Sequence, residues 1–234
     1  MKILFMALLA FGGSVGSVMA TTHEHIVPTL QYDESYEVDE KMDNHQYLVV
    51  VPEVMEFPES KQKDRFERAQ SILETIMNSE EFKIRVLAYK RSLDGERRYQ
   101  KNYLWNNSKE RLSNEDVFNL IMNGDEYMLP NTITEMNLNA YVKNCNWFMN
   151  KVSIWCRAVI GSTSPSDSKW IKLNWKFYKK FKTSEMVSNL VHEWLHLIGF
   201  LHGSENMREE VPYVVGSIAG QVAEEYLEKE GYEN

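Results

Sequence analysis

Three of the six histidines in this 234-residue chain lie within eleven residues, in the stretch HEWLHLIGFLH from position 192 to 202. His192 and His196 are four residues apart, so on a helix their side chains project from one face with Cβ atoms roughly 5–6 Å apart. Two imidazoles at that spacing can both reach one metal ion at about 2.0–2.1 Å. The spacing therefore predicts a metal site on a helix.

Gly199 and His202 extend this pattern beyond the helix. Gly199 can adopt a positive φ, which ends the helix and turns the chain back. His202 follows three residues later and can complete a site with three nitrogen ligands and a water in the fourth position. Open sites of this kind are catalytic, whereas four protein ligands make a structural site. We predict one zinc ion bound by His192, His196 and His202.

Glu193 follows the first histidine and lies too far round the helix to bind the same ion. It is instead placed to hydrogen-bond a water on the open side of the metal. A carboxylate there can take a proton from the water and deliver it to a leaving amine. The residue types therefore predict metal-dependent hydrolysis with Glu193 as general base.

The pattern HExxHxxGxxH at residues 192–202 resembles the extended zinc motif of the metzincin metalloproteases. A looser match covers residues 133–213, where strands precede the motif helix. The resemblance implies zinc binding by the three histidines and a general-base role for Glu193. It also implies a mixed sheet in which the strand just before the motif helix lies between the two strands that precede it.

The chain departs from the metzincin pattern after His202. Metzincins have a methionine-containing turn below the metal, often with tyrosine two residues after the methionine. Here Val211-Pro212-Tyr213 has valine at the methionine position, and Met207 has no tyrosine two residues on. We interpret Tyr213 as a residue that approaches the metal or stabilises an oxyanion. A buried structural tyrosine is the alternative.

Hydrophobic periodicity predicts the elements that position the motif helix. One helix begins near Ser60, a second runs from Ser113 to Gly124, the motif helix ends at Ile198, and a C-terminal helix covers about 218–229. Strands are predicted at residues 47–51, 136–142, 152–160 and 171–173. The expected fold is α/β (α+β) and metzincin-like: a mixed twisted sheet, a backing helix, an active-site helix and a small helical C-terminal part.

The chain divides into three parts. Residues 1–20 read as a secretory signal peptide with cleavage after Ala20, which predicts a secreted or periplasmic protein. Residues 21–44 are acidic and aperiodic, and are expected to be a flexible leader or prosegment. Residues 45–234 are expected to form a single catalytic domain.

Charge and cysteine content restrict the partners and the compartment. The net charge of −8 makes nucleic acid and anionic membranes poor candidate partners. Cys145 and Cys156 are the only cysteines, and an oxidising compartment favours a disulfide between them. A two-residue turn at Asn150-Lys151 would place the two opposite each other in a hairpin. The sheet order that the resemblance implies does not allow that simple hairpin, so the disulfide would then span a loop.

These features predict an exported zinc-dependent endopeptidase whose peptide or protein substrate pairs with an exposed strand edge. Two alternatives remain open. Glu224 or Glu225, 28 or 29 residues after His196, could be the third ligand, as in thermolysin-like proteins. The chain could also bind zinc in a metalloprotease fold without turnover.

Overall fold

The structure of the protein is a computed structural model. It describes residues 19–22, 28, 30–37, 47–54, 60–92, 94–97, 99, 103–104, 112–124, 126–127, 134–163, 170–202 and 207–232. Most of the predicted signal peptide therefore lies outside the described residues.

Strands and helices alternate through the described residues. The strands are β1 (Met19–Thr22), β2 (Gln31–Tyr32), β3 (Val49–Val54), β4 (Tyr89–Lys90), β5 (Tyr103–Leu104), β6 (Glu135–Lys143), β7 (Val159–Thr163), β8 (Ile171–Asn174) and β9 (Phe200–Leu201). The helices are α1 (Ser60–Met77), α2 (Glu80–Ala88), α3 (Asn114–Asn123), α4 (Trp147–Val152), α5 (Ile154–Ala158), α6 (Trp175–Tyr178), α7 (Thr183–Ile198) and α8 (Val211–Lys229), with a short 3-10 helix at Met207–Glu209.

Five strands form one mixed sheet in the order β1-β7-β8-β6-β3. β3, β6 and β8 are parallel, whereas β7 and β1 each run antiparallel to their neighbour. β8 precedes the motif helix α7 and lies between β6 and β7, so the sheet order that the resemblance implied is confirmed. The mixed α/β class is confirmed with it.

The core lies between this sheet and the helices that cover it. The apolar stripe of α1 is buried as predicted, and α7 is buried along almost its whole length. α8 packs along α7 and begins at Val211, earlier than the predicted start near residue 218. Ser113 caps α3 and Gly124 ends it in the left-handed conformation, as predicted. Among the described residues, no helix combines the length and apolarity needed to cross a bilayer.

The predicted strand at residues 152–160 is wrong over most of its length. The chain forms α4 and α5 there, with Asn146 and Ser153 as their N-caps, and enters β7 only at Val159. Val152 and Ile154 are exposed, so the alternation of apolar residues did not reflect one buried face. Local capping by Asn and Ser determined the conformation instead.

The disulfide between Cys145 and Cys156 is confirmed, with an S–S distance of 2.06 Å and a Cα–Cα distance of 5.9 Å. The predicted hairpin turn at Asn150-Lys151 is wrong, because both residues lie in α4. The bridge instead connects the residue that precedes the cap of α4 with α5, so it spans a helical loop between β6 and β7.

Part of the acidic leader packs against the rest of the chain, and its role as a flexible leader or prosegment stays a prediction. β2 pairs antiparallel with β4, and the Asp33 N–H donates to the Ala88 carbonyl at 2.8 Å. The Asp33 carboxylate also lies 3.2 Å from Lys90 Nζ. Backbone pairing and an ion pair fix this segment despite its acidic composition.

Candidate metal centre

Helix α7 begins and ends where its sequence specifies. The Lys182 N–H donates to the Glu185 carboxylate at 2.8 Å, which satisfies a backbone donor before the first turn. Gly199 has a φ of 118° and its N–H donates to the carbonyls of Leu195 and His196. The chain then turns back through β9, which brings His202 to the histidines of the helix. The predicted role of Gly199 is confirmed.

His192, His196 and His202 form one cluster. A ligand atom from each ring lies within 4.8 Å of the other two. The Nε2 atoms of all three rings are buried, and those of His196 and His202 meet no hydrogen-bond partner within the described part of the chain. Buried polar atoms are normally satisfied, so converging ring nitrogens fit a bound cation. Three imidazoles that leave one side open are a donor set that suits zinc.

Contacts on the other ring nitrogen orient two of the histidines. His196 Nδ1–H donates to the Phe200 carbonyl at 2.6 Å, and His202 Nδ1–H donates to the Glu210 carboxylate at 2.8 Å. These bonds select the tautomer whose Nε2 lone pair points into the cluster. Burial and the neighbouring His202 lower the pKa of His196 to about 3, so its ring is neutral at physiological pH.

Glu193 is fully buried beside strand β7. Thr163 Oγ1 donates to Glu193 Oε2 at 3.0 Å. The other carboxylate oxygen lies against Gly161, where a Cβ would come within 2.5 Å of it. The strand therefore holds this carboxylate from one side, and a side chain at position 161 would push it from this position.

Tyr213 packs against the histidine cluster from the N-terminal part of α8. Its ring centroid lies 4.6 Å from that of His192 and 4.9 Å from that of His202. Burial, with Glu210 and Glu193 nearby, raises the pKa of its hydroxyl. The ring thus supports two of the three candidate ligands, and the hydroxyl is protonated over the physiological pH range.

Trp194, next to Glu193 on α7, contacts a buried carboxylate. Its Nε1–H donates to Glu126 at 2.9 Å, and the same Glu126 oxygen accepts the Asn137 backbone N–H at 2.9 Å. Burial raises the pKa of Glu126, against the effect of these hydrogen bonds. Glu126 thereby links α7 to β6 beside the candidate general base.

Glu224 and Glu225 do not join the cluster of candidate ligands. Glu224 lies 3.3 Å from Lys182 Nζ, and Glu225 lies 2.7 Å from Arg85. Both lie about three turns after Tyr213 on α8, roughly 17 Å along the helix axis. Their ion pairs therefore give them a role on the surface of the helix.

The sequence interpretation found the histidines, Glu193 and Tyr213, and the structure brings all five together. It missed Thr163, Gly161 and Glu210, which contact these residues from β7 and from the start of α8. No local spacing marks such contacts, because they arise only when distant elements pack. The chain shows no match to known protein-family models, curated proteins or solved structures.

Proposed function

We propose that the protein is an exported zinc-dependent endopeptidase of metzincin type. The observation that carries the proposal is the convergence of three histidine rings beside a buried carboxylate held by β7. A structural zinc site has no need of a carboxylate beside it, so Glu193 favours catalysis over the alternative of zinc binding without turnover. The motif resemblance and the position of β8 between β6 and β7 support the metzincin assignment.

His192, His196 and His202 would hold the zinc ion. When bound, zinc lowers the pKa of a ligated water and polarises a carbonyl oxygen. Glu193 takes the proton of the attacking water and passes it to the leaving amine. Thr163 orients the Glu193 carboxylate, and the Tyr213 hydroxyl is the candidate donor to the oxyanion.

An extended peptide is the substrate form that suits strand β7. In this structure β1 covers the outer edge of β7, pairing Met19 with Thr163 and Ala20 with Ser162. Signal-peptide cleavage after Ala20 would remove these two residues from the mature chain. The backbone beside Thr163 would then be open to pairing with a substrate strand.

Glu193→Gln tests the proposal, because it keeps size and polarity but removes the base. We expect zinc content and fold to be unchanged while turnover of an unfolded-protein substrate falls roughly 10²–10⁴-fold. Tyr213→Phe should also retain zinc, since the ring remains, and lose about 10²-fold in turnover if its hydroxyl is the oxyanion donor.

Glu224→Gln is the matched control, because it changes a partly exposed glutamate that could have been the third ligand. Its zinc content and activity should equal those of the wild type, whereas His202→Ala should lose zinc. Equal digestion by wild type and Glu193→Gln would contradict the peptidase assignment. Stoichiometric zinc without any proteolysis by the mature wild type would favour the non-catalytic zinc protein.

A further inference from the structure

The disulfide-bridged loop between β6 and β7 exposes an unusual number of apolar side chains. Ten large apolar side chains are exposed in the described part of the chain, and four of them fall between positions 147 and 154. These are Trp147 (72% exposed), Phe148 (60%), Val152 (57%) and Ile154 (70%), which we name the apolar knob. Exposed apolar residues are ordinary when scattered, but a cluster marks an interaction surface.

The loop is held in this form by bonds that do not bury the knob. The Cys145–Cys156 disulfide closes it. Asn146 Oδ1 accepts the Met149 N–H at 2.8 Å, and Asn150 Nδ2 donates to the Cys145 carbonyl at 2.9 Å. The apolar side chains are therefore presented to solvent by a braced scaffold, which lowers the conformational entropy lost on binding.

Basic side chains lie over aromatic rings in the knob and next to it in the chain. Lys151 Nζ is 3.9 Å from the centroid of the Trp147 ring. Lys143 and Lys172 lie 5.3 and 5.0 Å from the Trp155 ring. In these contacts the ammonium group itself lies over the face of the aromatic ring, as in cation–π pairs.

Lys176 and Arg157 add two further cations to this surface. The two residues are neighbours, because Lys176 Nζ donates to the Arg157 backbone carbonyl at 2.9 Å. We name Lys143, Lys151, Arg157, Lys172 and Lys176 the basic rim. Within the described residues, none of the five forms an ion pair with a carboxylate. Residues 141–180 contain seven lysines and one arginine against one aspartate, in a chain of net charge −8. The net charge of the chain thus conceals a strongly basic region.

We propose that the apolar knob and the basic rim dock the protein onto a membrane surface that contains anionic lipid. Tryptophan, with an apolar ring and a polar N–H, suits the boundary between acyl chains and headgroups. The rim supplies the charge that attracts anionic headgroups. Its four lysines argue against a protein partner, because lysine is depleted in protein–protein interfaces but favoured at membrane interfaces. The whole-chain charge argued against an anionic membrane; the local charge reverses that expectation for this face.

Co-sedimentation of the mature protein with phosphatidylcholine vesicles, with and without phosphatidylglycerol, tests the proposal. We expect binding to the anionic vesicles only, with release at high salt. The double variant Trp147→Ser/Ile154→Ser should lower the partition coefficient at least about tenfold. Lys151→Gln and Arg157→Gln should each lower it about fivefold.

Ile84→Ser and Lys229→Gln are matched controls, because they change an exposed apolar residue on α2 and an exposed lysine at the end of α8. Both should bind as the wild type does. Absence of binding to anionic vesicles, or equal binding by wild type and the Trp147→Ser/Ile154→Ser variant, would overturn the proposal. A dimeric wild type that becomes monomeric only in this double variant would also overturn the proposal, because the knob would then join two copies of the chain. Binding is measured on zinc-stripped protein as well, so the result does not depend on peptidase activity.

Discussion

A buried carboxylate outside the set of candidate metal ligands contacts the histidine cluster. Glu210 is buried at the start of α8 and accepts the hydrogen bond from His202 Nδ1. His202 lies outside the motif helix, so no helical backbone fixes the direction of its ring. Glu210 supplies that orientation, in the way that carboxylates behind metal-bound histidines raise ligand basicity.

Replacing Glu210 should therefore weaken metal binding. Glu210→Gln keeps the shape of the side chain but removes its charge, and we expect zinc affinity to fall by about 10–100-fold. Competition with a chromophoric chelator measures this affinity. The control is Glu209→Gln, a neighbouring buried carboxylate that accepts the Ser92 N–H at 3.0 Å. Equal zinc affinity in wild type and Glu210→Gln would show that His202 does not need the carboxylate.

Residue types and spacing were sufficient to predict that the three histidines cluster, because they lie within one short segment whose geometry is local. Thr163 and Glu210 could not be predicted, since each reaches the site from another element. A threonine thirty residues before Glu193 resembles any other strand residue until the sheet packs against α7.

Helix α7 carries His192 and His196, and helix α8 carries Tyr213. The two helices approach closely because α8 has glycines at the contact. A Cβ at Gly216 would lie 2.8 Å from the Ser188 carbonyl oxygen and 3.2 Å from His192 Cβ. A Cβ at Gly220 would lie 2.8 Å from Ser188 Cβ. Without these glycines α8 could not bring Tyr213 against the histidine rings.

Gly216→Ala should separate the two helices near the metal ligands. We expect a loss of about 1–3 kcal/mol in the free energy of unfolding, as for other overpacked sites, although alanine is the better helix former. Urea denaturation of the zinc-bound protein measures this loss. Glu228→Ala, at an exposed position of the same helix, should be nearly neutral. A Gly216→Ala protein as stable as the wild type would mean that the helices can shift without cost.

Helices were predicted well because caps and apolar stripes are local signals, as at Ser113 and Gly124. The segment at residues 152–160 was predicted wrongly, because its alternating apolar residues include exposed members of the apolar knob. Hydrophobic periodicity predicts structure only where apolar residues are buried, and an interaction surface breaks that assumption.

At the scale of the whole molecule, burial of the histidine cluster links stability to pH. Burial and the neighbouring His202 lower the pKa of His196 to about 3 in the folded chain. The unfolded chain has the ordinary histidine pKa near 6.5, so it binds a proton over a pH range in which the folded protein does not. The contribution of His196 to the stability of the metal-free protein is therefore full above about pH 6.5 and is lost as pH drops towards 3.

Urea unfolding of the chelator-treated protein between about pH 7 and pH 4 should show this loss, on the order of a few kcal/mol. In His196→Gln the contribution of this group is absent, so the slope of stability against pH should be shallower. Identical slopes in the two proteins would contradict the assignment to His196.

The chain alone could not indicate how its N-terminal part is arranged. The acidic composition of residues 21–44 suggested a flexible leader or prosegment, and it gave no sign that residues 31–33 pair with β4 and Lys90. Composition indicates only whether a segment tends to be disordered. Whether the segment pairs with a strand depends on which strand edges the rest of the fold leaves unpaired.

Trp155 connects two lysines of the basic rim to strand β7. Its ring lies beneath Lys143 and Lys172, and its Nε1–H donates to Ser162 Oγ at 3.1 Å. Ser162 lies between the two β7 residues that contact Glu193, so this hydrogen bond joins the loop that carries the knob to the strand beside Glu193. A protein bound to lipid through the knob would hold the histidine cluster and Glu193 at a constant height above the bilayer. If the protein is the proposed peptidase, the distance of a peptide bond from the membrane would then select cleavage sites in addition to their sequence.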